Sequence, residues 1–161
     1  MKATAFALMG CLLVASVAVV FAQAPVVRVT PEQIKWTKDP ANLGFEEAII
    51  EGDPKKPGIY VIHVKFPPGI MSKPHYHGEA RYATVIKGTW YTGEGDVFDP
   101  GKTVGLKPGS FMKHPAGTHH YDGAKNEEVI LQLVGIGPTS TTRIKPNEGL
   151  FGSSVPSPQK K

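Results

Sequence analysis

Cysteine is almost absent from this chain. The sequence of 161 residues contains one cysteine, Cys11, which lies inside an apolar stretch near the N-terminus. If that stretch is removed by processing, no thiol remains, so we expect no disulfide bond, no thiolate ligand and no cysteine nucleophile. Histidine and carboxylate side chains are then the available metal ligands, which favours iron, manganese, zinc, nickel or copper.

Long runs of positive charge are also missing. The formal net charge is +4, and no basic run exceeds the pairs Lys55-Lys56 and Lys160-Lys161. Scattered charge of this kind is typical of a soluble protein's surface and does not form the basic patch that nucleic acid requires. We therefore expect no nucleic-acid partner.

Long periodic helices and internal repeats are absent beyond residue 22. The chain instead contains 18 glycines and 15 prolines, which divide it into short β-rich segments. Regularly spaced short strands favour a sandwich or a barrel, and therefore an all-β protein. The predicted strands cover residues 47–51, 59–66, 80–87, 89–92, 103–106, 110–114, 119–121 and 128–134.

The two ends of the chain differ from this β-rich middle. Residues 1–22 have the charged start, apolar centre and small-residue exit of a secretory signal peptide, although about twenty apolar residues could also span a bilayer as an uncleaved anchor. We expect cleavage after Ala22, a periplasmic or secreted protein, and no stable membrane anchor after cleavage. Thr30-Pro31-Glu32-Gln33 predicts the start of a short helix, and the composition of residues 149–161 predicts a flexible tail.

Two histidine motifs carry most of the functional information. His75 and His77 are two residues apart, so on an extended strand both side chains leave the same face and one metal ion can bind both. The second motif supplies the turn Pro115-Ala-Gly117 and then a histidine, about 45 residues downstream of the first pair. A neighbouring strand could provide this histidine as a third ligand. His119 should point away from any metal that His120 binds, because successive strand residues face opposite ways.

These motifs resemble those of the cupin superfamily. The first cupin motif has a glycine, five residues, His-x-His and a later glycine, which Gly69, His75, His77 and Gly88 match. The second has a glycine, five residues, Pro-x-Gly, two residues and a histidine, matched by Gly109, Pro115, Gly117 and His120. Residues 45 to 138 carry the resemblance, which is strongest to small, single-domain, exported bacterial cupins of the cupin type-2 kind.

The resemblance implies a double-stranded β-helix, the jelly-roll barrel of cupins, here with a short N-terminal helix. Together with the composition of the two ends, the sequence predicts a signal peptide at 1–22, an N-terminal extension at 23–44, the barrel at 45–148 and a flexible tail at 149–161. The resemblance also implies one divalent metal ion, either Fe, Mn, Zn, Ni or Cu, held by His75, His77 and His120. Cupins commonly pair through strand edges, so a homodimer is consistent with the resemblance.

The sequence departs from the family at its glutamate ligand. Counting back from Gly88, that position is Arg81, whose guanidinium offers no lone pair to a cation. Glu79 could take over as a metal ligand if the strand continues past His77, or it could be solvated or pair with Arg81. His114 could be a fourth ligand, an outer partner of the ligands or an ordinary pocket histidine.

A metal with three neutral imidazoles and open positions is suited to catalysis on a small molecule. We favour a metal-dependent enzyme with dioxygenase-like chemistry on an enol or diketone, because similar cupins often use it. Glu79 or His114 would be the general base, and Arg81 could hold a substrate carboxylate through paired hydrogen bonds. The alternatives are a zinc-dependent isomerase, hydrolase or decarboxylase, and a non-enzymatic cupin that binds or senses a metal or ligand.

Overall fold

Twelve β-strands form nearly all of the regular structure in the computed structural model, which describes residues 23–155. The predicted signal peptide at 1–22 and the last six residues lie outside the described residues. The strands are β1 (Thr37–Lys38), β2 (Glu46–Glu51), β3 (Gly58–Phe66), β4 (Ile70–His77), β5 (Arg81–Lys87), β6 (Trp90–Glu94), β7 (Val104–Leu106), β8 (Phe111–His114), β9 (His120–Gly123), β10 (Val129–Gly137), β11 (Thr141–Arg143) and β12 (Phe151–Ser153).

The strands make two antiparallel sheets that face each other. The first sheet has the order β1-β2-β3-β10-β5-β8, and the second has the order β11-β4-β9-β6-β7, with β12 pairing with β4 beside them. Several paired strands, such as β3 with β10 and β4 with β9, are distant in sequence, so the chain crosses repeatedly between the sheets. This architecture confirms the predicted all-β jelly roll.

Alternating side chains of the long central strands form the core. On β3 and β10 every second residue is buried, the pattern of a strand with one face turned inward. Tyr60, Ile62 and Leu131 are among the fully buried side chains, and Val129 follows the same alternation. The first sheet therefore supplies most of the apolar filling between the layers.

The predicted N-terminal helix is reduced to a single turn. Pro31–Gln33 form a three-residue 3₁₀ turn, in which the side-chain Oε1 of Gln33 accepts the backbone N–H of Thr30 at 2.9 Å. Two further 3₁₀ turns lie at Pro40–Asn42 and Pro100–Lys102. No helix among residues 23–155 has the length and apolar character needed to cross a membrane.

The prediction of a flexible tail from residue 149 is wrong for its first part. Phe151 begins β12, whose residues pair with the start of β4, and only 9% of its surface is exposed. Its ring stacks on Phe45 with centroids 4.6 Å apart and lies near Phe66 at 6.3 Å. Burial of an aromatic ring overrides the loop-like composition around it.

Replacing Phe151 with alanine should therefore destabilise the protein by about 3 kcal/mol, because a buried aromatic ring is lost and a cavity remains. Val155→Ala is the matched control, since Val155 is 68% exposed. The free energy of unfolding in urea measures both changes. Equal, small effects of the two substitutions would show that β12 does not belong to the core.

Candidate metal centre

Three buried histidines meet between the sheets, all from the second sheet. His75 and His77 project from the same side of β4, and His120 begins the neighbouring strand β9, directly opposite His75 in the register. Their exposed fractions are 4%, 4% and 2%. Each offers one ligand atom, and these three atoms lie within 4.8 Å of one another, so the triad could hold a metal ion.

Backbone carbonyls fix which nitrogen of each ring is free. The Nδ1–H of His75 donates to the carbonyl of Lys73 at 2.8 Å, and that of His120 to the carbonyl of Thr118, also at 2.8 Å. His77 donates in the same way to Ser140 at 3.0 Å. A carbonyl only accepts, so each Nδ1 carries the proton and each Nε2 keeps its lone pair, as metal-binding histidines require.

The turn of the second motif is tied to the first motif. Gly117 has a φ of +73°, which glycine adopts without strain, and its N–H donates to the carbonyl of His77 at 2.9 Å. The following residue, Thr118, donates its N–H to the carbonyl of Pro115 at 3.2 Å and closes the turn. The turn thus places His120 against the two histidines of β4.

Burial keeps the imidazoles of His75 and His77 neutral. It lowers the pKa of His75 to about 4. The pKa of His77 falls to about 2, first through burial and then through the positive charge of Arg81. At neutral pH both rings are therefore uncharged, with a proton on Nδ1 and a free lone pair on Nε2, and this is the state in which imidazole binds a metal.

His114 lies beside the triad, at the end of β8. It is 7% exposed, and its ring stacks on His120 with centroids 3.7 Å apart and planes inclined by 21°. Its Nε2 is buried and has no hydrogen-bond partner among the described residues. Burial lowers the pKa of His114 to about 4, so it is a neutral acceptor at pH 7.

The structure does not bring Glu79 to the histidines. The strand β4 ends at His77, and the chain bends through Gly78 and Glu79, which are both exposed. The prediction that Glu79 is a metal ligand required β4 to continue past His77. Because the chain bends there, the prediction is wrong. Glu79 also does not pair with Arg81 among the described residues.

Arg81 faces the cavity in place of the missing carboxylate. It begins β5, pairs in register with His114 on β8, and its Nη2 donates to the hydroxyl of Thr139 at 3.1 Å. Its Nε is buried without a partner in the described part of the chain. The position predicted to be the family's glutamate therefore presents a positive charge to the same cavity.

Two carboxylates of the site were missed by sequence reasoning. Asp122 follows His120 by two residues, a spacing that could have placed both on one strand face. Its oxygens accept the Ser72 hydroxyl and, at 2.9 Å, the indole N–H of Trp90. Glu47 lines the cavity from β2, opposite Val64 in the register, which no local pattern reveals.

These two carboxylates have different pKa shifts. Burial raises the pKa of Asp122, but the nearby histidines and the Ser72 hydroxyl outweigh it, so the pKa lies below its usual range. Burial raises the pKa of Glu47, and the charge of Arg81 opposes this only partly. Asp122 is therefore an anion in the cavity wall, whereas Glu47 is easier to protonate than a surface glutamate.

A cavity of about 250 Å³ joins these groups. The strands β3 and β10 of the first sheet line it with apolar side chains, and other strands of the same sheet add the polar side chains of Glu47, Arg81 and His114. The lining side chains are Asn42, Phe45, Glu47, Val64, Phe66, Ser72, His75, His77, Arg81, Trp90, His114, His120, Asp122, Leu131, Leu133, Thr141, Leu150 and Phe151.

The remaining histidines lie away from the cavity. His119 points to the other side of β9, where its Nδ1 contacts the Asp96 carboxylate at 2.5 Å and its ring stacks on Tyr76. His63 is on the outer face of the first sheet, where its Nε2 lies 3.3 Å from the Gln132 side-chain oxygen. Both placements follow from the alternation of strand residues.

Three solved structures with the same architecture are distant from this chain in sequence. A polyketide cyclase, RemF, from Streptomyces resistomycificus matches with a TM-score of 0.64 and 16% identity over 77% of this chain and 89% of its own. A cupin-2 domain protein from Rhodospirillum rubrum matches with a TM-score of 0.58 and 12% identity, covering 81% and 86% of the two chains. This chain has the cupin fold.

A further match shares that fold. The DMSP lyase DddQ from Ruegeria pomeroyi aligns with a TM-score of 0.58 and 15% identity, over 71% of this chain and 63% of its own. No family model matches the sequence. No curated protein is detectably similar to it in sequence. The cupin fold therefore comes from structural likeness, and the site must be interpreted from its own residues.

The metal-free protein should lose stability as the pH falls from 6.5 to 5. In this range the unfolded chain protonates its histidines, near an ordinary pKa of about 6.5, while His75, His77 and His114 stay neutral when folded. The unfolded state then binds more protons, so each histidine costs up to about 1.4 kcal/mol per pH unit. Glu47, with its raised pKa, contributes with the opposite sign.

Urea unfolding of the protein in excess chelator at several pH values would measure this slope. His114→Phe removes one of the three groups and should reduce the slope by up to about 1.4 kcal/mol per pH unit. A stability that is independent of pH between 6.5 and 5 would contradict the assignment of buried, neutral histidines.

Proposed function

We propose that this protein is an exported, metal-dependent enzyme that acts on a small organic molecule in the cavity beside its histidine triad. The observation that carries the proposal is the set of three Nε2 atoms left free by backbone hydrogen bonds at Nδ1. All three ligand atoms lie within 4.8 Å of one another, in one cavity. Export rests on the signal-like sequence of residues 1–22.

The donor set fits one divalent ion with open positions. Three neutral imidazoles suit zinc, iron, copper or nickel, and they leave the charge of the ion unneutralised. When bound, such an ion supplies electrophilic polarisation of a substrate oxygen and, if it is redox-active, access to dioxygen chemistry. Which metal ion is bound depends on the metals available in the compartment as well as on the ligands.

His114 is suited to accept a proton from the substrate. Within residues 23–155 the convergent ligand group consists of His75, His77 and His120, and His114 stands outside it. Its Nε2 is buried without a partner, and its pKa of about 4 leaves it neutral at pH 7. A neutral imidazole at the cavity wall can therefore act as general base.

The apolar side chains of the cavity position the substrate and exclude water. Phe45, Phe66 and Phe151 form a packed aromatic group, and Leu131 and Leu133 line the cavity from β10. A cavity of this kind fits a compact organic molecule with an apolar side and a few oxygens. The polyketide cyclase and the DMSP lyase that share the fold are named for reactions of organic molecules.

For the reaction itself we propose dioxygenase-like chemistry on an enol or diketone. Such a substrate presents two oxygens on one side and an acidic C–H or O–H proton that His114 can accept. Its carbon skeleton would contact the aromatic wall. This choice of reaction depends on a redox-active ion, and a firmly held zinc ion would favour proton-transfer or elimination chemistry in the same cavity.

The exported protein, isolated without a tag or chelator, should contain about one divalent metal per chain. Elemental analysis should show that His75→Ala/His77→Ala loses the metal, because two of three ligands are removed. His63→Ala/His119→Ala is the matched control and should retain it, since both side chains lie outside the cavity. Absence of metal from the unaltered protein, or equal loss in the control, would refute the site.

Replacing His114 with glutamine should lower kcat by about 100-fold or more while the metal content stays unchanged, because the proton acceptor is lost. Oxygen uptake with pentane-2,4-dione by the iron-loaded protein measures the rate. Loss of the metal in this variant would instead make His114 a ligand. Unchanged oxygen uptake with full metal content would show that His114 is not the proton acceptor.

A further inference from the structure

Arg81 is an unusual residue to find in this cavity. Among the described residues that line the cavity, it alone carries a permanent positive charge. A guanidinium does not deprotonate in proteins, so burial cannot neutralise it as it neutralises the histidines. The charge must therefore be satisfied by a partner or by solvent.

The protein supplies little of what this guanidinium needs. Of its donors, Nη2 reaches the hydroxyl of Thr139 at 3.1 Å, while the buried Nε–H has no acceptor in residues 23–155. No aspartate or glutamate of the same residues forms an ion pair with Arg81. An unpaired buried donor on a charged group is costly, and such groups need an explanation.

Neighbouring residues hold Arg81 next to the histidines. Thr139 accepts its Nη2–H, and the next residue, Ser140, accepts the Nδ1–H of His77. One short segment before β11 therefore positions both side chains. On its other side Arg81 pairs in register with His114.

Neither of the two carboxylates that line the cavity, Glu47 and Asp122, forms an ion pair with the guanidinium in the described chain. Burial raises the pKa of Glu47, the opposite of what a close salt bridge would do. Glu47 therefore leaves the donors of Arg81 available to a ligand.

We propose that Arg81 binds the acid group of the substrate, so that the substrate class is small organic carboxylates with a second oxygen for the metal. The inference rests on the proposed function, because it uses the same cavity. Guanidinium and carboxylate match as paired, charge-assisted hydrogen bonds. The volume of about 250 Å³ restricts the acid to a compact molecule, since pockets for drug-sized ligands begin near 300 Å³.

Two probes that differ by one group test this inference. Pentane-2,4-dione and 2,4-dioxopentanoate share a diketone, and the second carries a carboxylate in place of a methyl group. Calorimetric titration of the zinc-loaded protein should give about tenfold to hundredfold tighter binding of the carboxylate, the range for hydrogen bonds to charged groups. Zinc prevents turnover with oxygen during the titration.

Arg81→Gln should abolish the preference, so that the two probes bind with equal affinity. Arg81→Lys keeps the charge but loses the paired geometry, so it should keep only part of the preference. It also serves as the second variant should Arg81→Gln fail to fold. Equal binding of the two probes by the unaltered protein, no binding of either, or a preference that survives Arg81→Gln would overturn the inference.

The same titration in excess chelator separates this inference from the proposed function. If the isolated protein contains no metal, yet 2,4-dioxopentanoate binds in excess chelator and Arg81→Gln loses that binding, the metal-dependent function fails and the acid subsite stands. If the metal is present but 2,4-dioxopentanoate binds no more tightly than pentane-2,4-dione, the acid subsite fails and the metal centre stands.

Discussion

Three hydrogen bonds from imidazole Nδ1–H groups to backbone carbonyls hold this site together. The acceptors belong to Lys73 within β4, to Thr118 in the turn before β9 and to Ser140 in the segment before β11. Because the acceptors are backbone atoms, the fold itself sets the ring orientations and the tautomers. Without these bonds, three buried neutral rings would have no fixed direction for their lone pairs.

The two sheets contribute different side chains to the cavity. The second sheet supplies the three histidines and Asp122, whereas β3 and β10 of the first sheet supply aliphatic and aromatic side chains. A charged or polar group on one wall therefore faces a wall of low polarity, where electrostatic interactions are stronger than in water. Arg81 and His114 are the polar side chains that the paired strands β5 and β8 of the first sheet bring to this cavity.

Local sequence patterns predicted the parts of the site that depend on local geometry. The spacing of His75 and His77 needs only an extended strand, and the turn at Gly117 needs only a positive φ. The all-β architecture followed from short strands separated by glycine and proline. These features are decided within a few residues of the chain, so the sequence alone was sufficient for them.

Features that depend on distant contacts could not be predicted in the same way. Glu79 follows His77 at the spacing that continues the alternation of β4, but the chain bends directly after His77. Phe151 lies in a stretch with the composition of a loop, yet it pairs with β4 and packs on Phe45. Glu47 reaches the cavity because β2 pairs with β3 in one particular register. Strand register across a sheet is a tertiary property, and a shift by one residue would turn each side chain to the other face.

The arginine at the family's carboxylate position changes the electrostatics of the whole cavity. A glutamate ligand there would place a negative charge beside the ion, whereas Arg81 adds a positive charge that already helps to lower the pKa of His77. Of the two carboxylates that line the cavity, Asp122 has its oxygens occupied by Ser72 and Trp90, and burial raises the pKa of Glu47. A metal ion and a guanidinium would then share one small cavity in which neither carboxylate forms an ion pair with Arg81 among the described residues. That arrangement favours negative charge in the open part of the cavity, where a ligand must bind.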